Sequence, residues 1–266
     1  MRIDIRDDIF QHLHRNIFRA SLIALEEGIV AGQKAFIPRA RALGLDFKIL
    51  KEEGGAILQG EPVILLKGTA KQIALTEEKL IGWILKASGI ATAASSAKAL
   101  ARGKFEVVSG GWKKMPFSLK HYVREAIRAG GIRFRICEDP FIYLDKNYVA
   151  MLGGVKEALI SIAKFEHRLK VIQLKSHGKR LARECNVAVR YGADVLMIDT
   201  GQEEDITTAS QALHKAGLRG KVKIAYAGNI EISDIPRLQG EDLDTVDIGR
   251  AIVDAPLLDM RLEVIL

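Results

Sequence analysis

Two cysteines, six prolines, a 6% share of aromatics and no long apolar run set the first limits on this chain of 266 residues. Cys137 and Cys185 stand far apart, with no CxxC spacing and no histidine at metal-ligand spacing. That excludes a disulfide framework and a zinc signature, and it fits a reducing compartment. No stretch approaches the roughly 18 apolar residues of a membrane span. The first residues, Met1-Arg2-Ile3-Asp4-Ile5-Arg6, are too charged for a signal peptide. The expectation is a cytoplasmic protein with no membrane partner. No GxGxxG or GxSxG motif occurs, which argues against a dinucleotide fold and a nucleophile elbow. The 40 Lys and Arg outnumber 33 Asp and Glu, for a formal charge of +7, but no basic run is interleaved with aromatics. A nucleic-acid partner is not expected; a solvated basic surface or an anionic small-molecule substrate is.

What is present points to an α/β protein. The hydrophobic share is 48%, drawn mainly from Ile, Leu, Val and Ala, as suits buried parallel strands covered by helices. The length suits an α/β barrel with a small accessory domain. Up to about Gly68 the runs are short and strand-like, at 20–30, 47–51, 56–59 and 63–67. Gln33 to Leu43 has helical spacing and stops at Gly44, a plausible C-cap. Thr76-Glu77-Glu78 resembles a helix start, followed by an Ala-rich helix to Ala101. Within it, Ser88-Gly89-Ile90-Ala91-Thr92 reads equally as close helix packing or as substrate contact.

After Gly103 the pattern alternates. Strands are expected at 105–108, 133–137, 148–152, 170–174, 194–198, 221–225 and 245–248, with helices at 155–165, 179–191, 206–216 and 232–238. Such alternation implies a parallel sheet, here read as an incomplete (β/α) barrel. The expected organisation is an N-terminal α/β sandwich domain over 1–103, the barrel over 104–255 and a tail, 256–266, packing back on the first domain.

The stretch from Val107 to Tyr148 is the expected wall of an anion site. It holds Gly110-Gly111-Trp112-Lys113-Lys114 and Gly130-Gly131-Ile132-Arg133-Phe134-Arg135, cations gathered at strand ends as a phosphorylated substrate requires. Asp199 ends an apolar strand, where it can orient a ribose hydroxyl, bind Mg²⁺, stabilise a developing cation or merely cap the next helix. Gly228 and Asn229, then Gly249 and Arg250, follow the last two strands and can offer N–H groups to a phosphate. Gln173 either points into the barrel mouth or is a buried structural amide. No histidine has a partner acid at a telling spacing, so each reads as a surface residue.

These residues, in this order, resemble quinolinate phosphoribosyltransferase, the decarboxylating nicotinate-nucleotide pyrophosphorylase family. Glu26-Glu27-Gly28-Ile29-Val30-Ala31-Gly32 is similar to its "EDGVLAG" strand, and Glu77 through Ser88-Gly89-Ile90-Ala91-Thr92 to its "ER…LSGIAT" helix, the most specific match. Ala129-Gly130-Gly131 with Arg135, the 144–148 segment, Gly192 to Asp199, and Val246-Asp247-Ile248-Gly249 follow in the family's order. The resemblance spans nearly the whole chain. It implies an N-terminal α/β sandwich followed by an incomplete barrel, the type II phosphoribosyltransferase fold. It also implies a homodimer or dimer-based oligomer whose active sites are shared between subunits. The implied reaction transfers ribosyl 5-phosphate from phosphoribosyl pyrophosphate to the nitrogen of quinolinate, with Mg²⁺ on the pyrophosphate and loss of CO₂.

The departures fall on the acceptor side. Where the family has Thr-Arg-Lys this chain has Gly111-Trp112-Lys113, its His-Arg pair is Phe134-Arg135, and its Lys-Asp-Asn-His is Asp145-Lys146-Asn147-Tyr148. Alternation along an expected strand would turn the displaced Lys146 to the other face. The helix arginine that reaches a neighbouring subunit falls on Glu78, a barrel glutamate on Gln173, and the phosphate loop Ser-Gly-Gly on Ala227-Gly228-Asn229. Lys113, Arg135 and Lys146 are expected to neutralise the pyrophosphate, and Asp199 to steady the ribose and meet the metal. Trp112, Phe134, Tyr148, Gln173 and Glu78 are expected to shape an altered acceptor site. A non-catalytic relative that binds a nucleotide or sugar phosphate, and a barrel enzyme acting on another phosphorylated molecule, are the competing readings.

Overall fold

The computed structural model describes residues 4–265, arranged as two compact units. One takes the described residues up to Ser95, Lys114–Ile132 and those from Ile252 onward; the other takes Ser96–Lys113 and Arg133–Ala251.

The first unit is organised by an antiparallel sheet. Its strands are β1 (Ile17–Ala24), β2 (Gly28–Ile29), β3 (Asp46–Ile49), β4 (Ala56–Ile57), β5 (Pro62–Thr69) and a last strand, Met260–Ile265. The last strand, β1, β5 and β3 lie side by side in that order, while β2 pairs with β4. Ala20 faces Val264 on one side and Leu66 on the other, so β1 is central. Ala20, Leu22 and Ala24 alternate into a core with Phe36, Ile57, Ile64 and Ile84. This period of two is what a strand with one buried face demands. Helix Gln33–Ala42 buries Phe36 and Ala40 at a spacing of four, and Gly44 follows it at φ +74, the left-handed turn that releases the chain.

Two helices follow in place of one. The first, Ala70–Lys79, starts six residues before the expected Thr76, because Thr69 and Gln72 form a reciprocal capping box. Thr76 lies inside it, fully buried, with Oγ1 donating to Gln72 O at 2.8 Å. The second runs Ile81–Ala101. Its small-residue stretch is a packing seam: a Cβ on Gly89 would stand 1.8 Å from Pro256 O. Ser88 Oγ accepts from Ala31 N and Thr92 Oγ1 from Ile29 N, each at 2.9 Å.

The second unit is a six-stranded parallel sheet: β6 (Glu106–Val108), β7 (Phe141–Leu144), β8 (Leu169–Leu174), β9 (Val195–Asp199), β10 (Lys223–Ala227) and β11 (Thr245–Asp247). The order is β6-β11-β10-β9-β8-β7. Sequence neighbours are sheet neighbours, and the last strand returns beside the first, which is barrel connectivity. Among the described residues β6 and β7 are not paired; β6 instead meets the chain ahead of β7 at the isolated bridge of Val108 and Arg133. The fold is thus an α/β one, an N-terminal sheet domain and an incomplete barrel. Amphipathic helices cover the strands; in Gly178–Arg190 the buried residues are Leu181, Cys185 and Ala188.

Two expected barrel strands are absent and one was unforeseen. Arg133–Cys137 is irregular apart from its single bridge. Tyr148–Leu152 is not a strand, because Asp145 caps a helix over Lys146–Met151, its carboxylate accepting from Asn147 N at 2.7 Å and Tyr148 N at 3.1 Å. The strand is instead the short apolar run Phe141–Leu144 just before that cap. Alternation therefore does not govern Lys146, which opens a helix.

Candidate active site

The C-terminal ends of the parallel strands hold the candidate residues of the second unit in two groups. The first lines a cleft of about 450 Å³ along the open seam, reaching from the residues that follow β6 and end β11 to those that precede β7 and β8. Its walls include Trp112, Lys113, Phe134 and Arg135, and with them Gly110, Tyr143, Arg168 and Asp247. Trp112 and Phe134 meet edge to face, centroids 5.9 Å apart, and the indole Nε1–H donates to Phe134 O at 2.6 Å. The two rings brace one another across the open seam of the barrel. Lys113 Nζ lies 4.4 Å from the centre of the Tyr143 ring. Asp247 Oδ1 accepts from Gly110 N at 2.7 Å. Burial raises the Asp247 pKa, opposed by the Gly110 N–H and by Lys113. Burial likewise raises that of Tyr143, aided by Asp247 and Asp199.

The second group is a hydrogen-bonded network across β7, β8 and β9. Gln173 Nε2 donates to Asp199 Oδ2, and Gln173 Oε1 accepts from Lys146 N at 2.8 Å. Lys175 Nζ donates to Asp199 O and lies 3.5 Å from its Oδ2. Gln173 is thus a half-buried bridging amide, and Asp199 is a braced carboxylate. Asp199 caps no helix: the next one, Glu204–Lys215, has Glu203 at its N-cap.

The glycine loops lie beside these groups. A Cβ on Gly228 would stand 2.5 Å from Gly201 N and 3.3 Å from Asp199 Oδ1, so only glycine fits, at φ +118. Asn229 is left-handed at φ +53. A Cβ built on Gly249 would stand 3.9 Å from Gly111 Cα, an ordinary contact, and Arg250 is exposed, 3.9 Å from Glu231. The helices after these loops, Ile235–Leu238 and Arg250–Val253, have only four residues each, so the loops offer backbone N–H groups rather than a long helix dipole.

Lys146 and Tyr148 are exposed on their short helix and do not line the cleft. Glu78 belongs to the first unit, where it pairs with Arg6. Asp247, Tyr143, Arg168 and Lys175 escaped the sequence reading; Asp247 alone had a signal, standing in the Asp247-Ile248-Gly249 turn. The histidines are exposed, as expected, though two of them have acidic partners. His177 Nδ1 lies 2.6 Å from buried Asp205, and His214 Nε2 lies 3.0 Å from Asp242. In each pair the partners are 28 residues apart, a separation no local motif reveals.

Residues 90–263 match the C-terminal domain of quinolinate phosphoribosyl transferase, and residues 7–88 match its N-terminal domain. The chain belongs to the quinolinate phosphoribosyl transferase family. Membership places it among the pentosyltransferases of NAD biosynthesis. It is 26% identical over 249 residues to a probable carboxylating nicotinate-nucleotide pyrophosphorylase of Methanothermobacter thermautotrophicus, covering 92% of this chain and 88% of that one. To the Homo sapiens nicotinate-nucleotide pyrophosphorylase it is 25% identical, covering 92% and 82%. Among solved structures, NadC from Streptococcus pyogenes superposes with a TM-score of 0.81 at 22% identity, covering 98% of this chain and 90% of that one. The nicotinate-nucleotide pyrophosphorylase of Pyrococcus furiosus gives 0.80 at 19%, covering 98% and 73%. At such identities these structural likenesses establish the fold. Among the described residues, no helix is long and apolar enough to cross a membrane.

Proposed function

We propose that this family member transfers ribosyl 5-phosphate from phosphoribosyl pyrophosphate to the ring nitrogen of a planar heterocycle, releasing pyrophosphate. The observation that carries the reading is the gathering of Lys113, Arg135 and Arg168 around one cleft along the open seam of a barrel from this family. Phosphoryl and pyrophosphoryl groups have little covalent chemistry for a protein to supply, so positioned cations are the main device. Lys113 and Arg135 meet the leaving pyrophosphate. Asp199, held in one orientation by Gln173 and Lys175, faces the positive charge that develops on the ribose. The loops at Gly228, Asn229 and Gly249 present N–H groups to the 5-phosphate, with Arg250 at their edge.

Magnesium is part of the proposal. Among the described residues no cluster of three or more His, Cys, Asp or Glu is built to hold a metal. Magnesium commonly takes one or two carboxylates plus substrate phosphates, and Asp199 fits that donor set. When bound, the ion supplies further neutralisation of pyrophosphate charge. The shared-site dimer belongs to the same reading, with Glu78 as the residue offered to the partner's cleft.

The finer proposal concerns the acceptor. Quinolinate carries two carboxylates, and each needs a cationic or hydrogen-bond partner when it leaves water. Trp112 and Phe134 instead give the cleft an aromatic edge. This supports a less anionic acceptor than quinolinate. The test is pyrophosphate release from phosphoribosyl pyrophosphate against quinolinate, nicotinate, nicotinamide and benzimidazoles. Release with at least one acceptor, dependent on Lys113, is expected. Intact, ligand-stabilised protein that releases none would favour a non-catalytic binding relative.

A further inference from the structure

Among the described residues, one carboxylate oxygen in the cleft has no hydrogen-bond donor. Asp247 Oδ1 is taken by Gly110 N–H at 2.7 Å, whereas Oδ2 accepts no hydrogen bond from any described residue. Its surroundings leave it so. A Cβ at position 110 would stand 2.8 Å from Oδ2, and glycine there has no side chain to cover it. The same cleft is walled by Trp112, Phe134, Phe141 and Tyr143, rings that suit the faces of a flat ligand. Lys113, whose charge favours the ionised Asp247 carboxylate, sits over the Tyr143 ring.

We propose that Asp247 is a specificity-determining residue, whose free Oδ2 accepts a hydrogen bond from an N–H of the acceptor. The cleft then takes an uncharged or cationic nitrogen heterocycle bearing an amide, amino or ring N–H. A pyridine dicarboxylate is disfavoured, because it brings a like charge to an oxygen that needs a donor. The inference rests on the phosphoribosyl-transfer reading of this cleft and names its acceptor class. Burial, which works against the Asp247 carboxylate, is the cost that a ligand N–H would offset.

The test uses the full chain, its D247N variant and D247S as a second replacement. Nicotinamide and quinolinate are the probes, each titrated calorimetrically. Asparagine keeps an acceptor for Gly110 N–H while offering an N–H₂ in place of Oδ2, so the fold should survive; thermal melts check this. The wild type is expected to prefer nicotinamide. D247N should weaken nicotinamide by roughly tenfold or more, the size of one charge-assisted hydrogen bond, and should strengthen quinolinate, so that the preference narrows or reverses. A ratio unchanged in both variants, or a wild-type preference for quinolinate, overturns the proposal. Pyrophosphate release by the wild type separates the two claims. No release with any acceptor sinks the transferase reading, while the binding ratio still decides the role of Asp247.

Discussion

Gln173 and Asp199 are joined side chain to side chain across neighbouring strands, the amide Nε2 donating to Oδ2 of the carboxylate. Because Gln173 Oε1 also accepts from Lys146 N at 2.8 Å, one amide fixes three strand ends. An isosteric loss should show what this bracing does. Gln173→Leu removes both contacts, but water can reach the Lys146 N–H and Lys175 stays beside the carboxylate, so the cost in denaturant melts should be about 1 kcal/mol or less. Turnover should fall with little change in KM, since Asp199 would no longer be held in one orientation.

Asp199 itself should matter through its charge. Asp199→Asn keeps shape and the contact to Gln173 but removes the negative charge facing the ribose. A loss of roughly 10²-fold or more in kcat is expected, with a melting temperature close to wild type. Equal activity would leave Asp199 a structural residue.

Gly89 tests the packing role of the small-residue helix. Gly89→Ala places a methyl group against Pro256 O, where the built Cβ lies 1.8 Å away. Overpacking of this kind costs about 1–3 kcal/mol, or more where backbone must shift. Chemical denaturation should show the loss, and KM for phosphoribosyl pyrophosphate should stay unchanged.

Acid stability should report Asp242. Its pKa is lowered to about 2 from 3.8, first by the hydrogen bond from Arg219, with Ser210 and His214 adding to it. Arg219 grips both oxygens, Nε to Oδ2 at 2.9 Å and Nη2 to Oδ1 at 2.8 Å. A folded-state pKa below the unfolded value stabilises above the unfolded pKa and is lost as pH falls. The urea midpoint of wild type should therefore exceed that of Asp242→Asn by a constant margin down to about pH 4. The margin should shrink as the pH falls toward 2. A margin independent of pH would mean that charge contributes nothing there.

Much of this was legible in the sequence. The alternating runs of the second half announced a parallel barrel, and the helix ending in Ser88-Gly89-Ile90-Ala91-Thr92, with the motifs that follow it in order, announced the family. Lys113, Arg135, Trp112 and Phe134 do come together in one cleft. What misled was local chemistry overridden by a stronger neighbour. Arg133 to Cys137 has strand-like alternation yet lies irregular at the open seam, and Tyr148 was drawn into a helix by the Asp145 cap. Asp247 and Lys175 were missed because their roles depend on partners 137 and 24 residues away, Gly110 and Asp199. Only folding makes such pairs visible.

The measurement that tests the central claim most directly is mass spectrometry of the products formed from phosphoribosyl pyrophosphate and a mixed panel of nitrogen heterocycles, with pyrophosphate quantified in parallel. The account predicts one acceptor recovered as its ribosyl 5-phosphate adduct, in equal amount to pyrophosphate, and no adduct when Lys113 is replaced by Met. Pyrophosphate without adduct, or no product with any acceptor from well-folded protein, would contradict it.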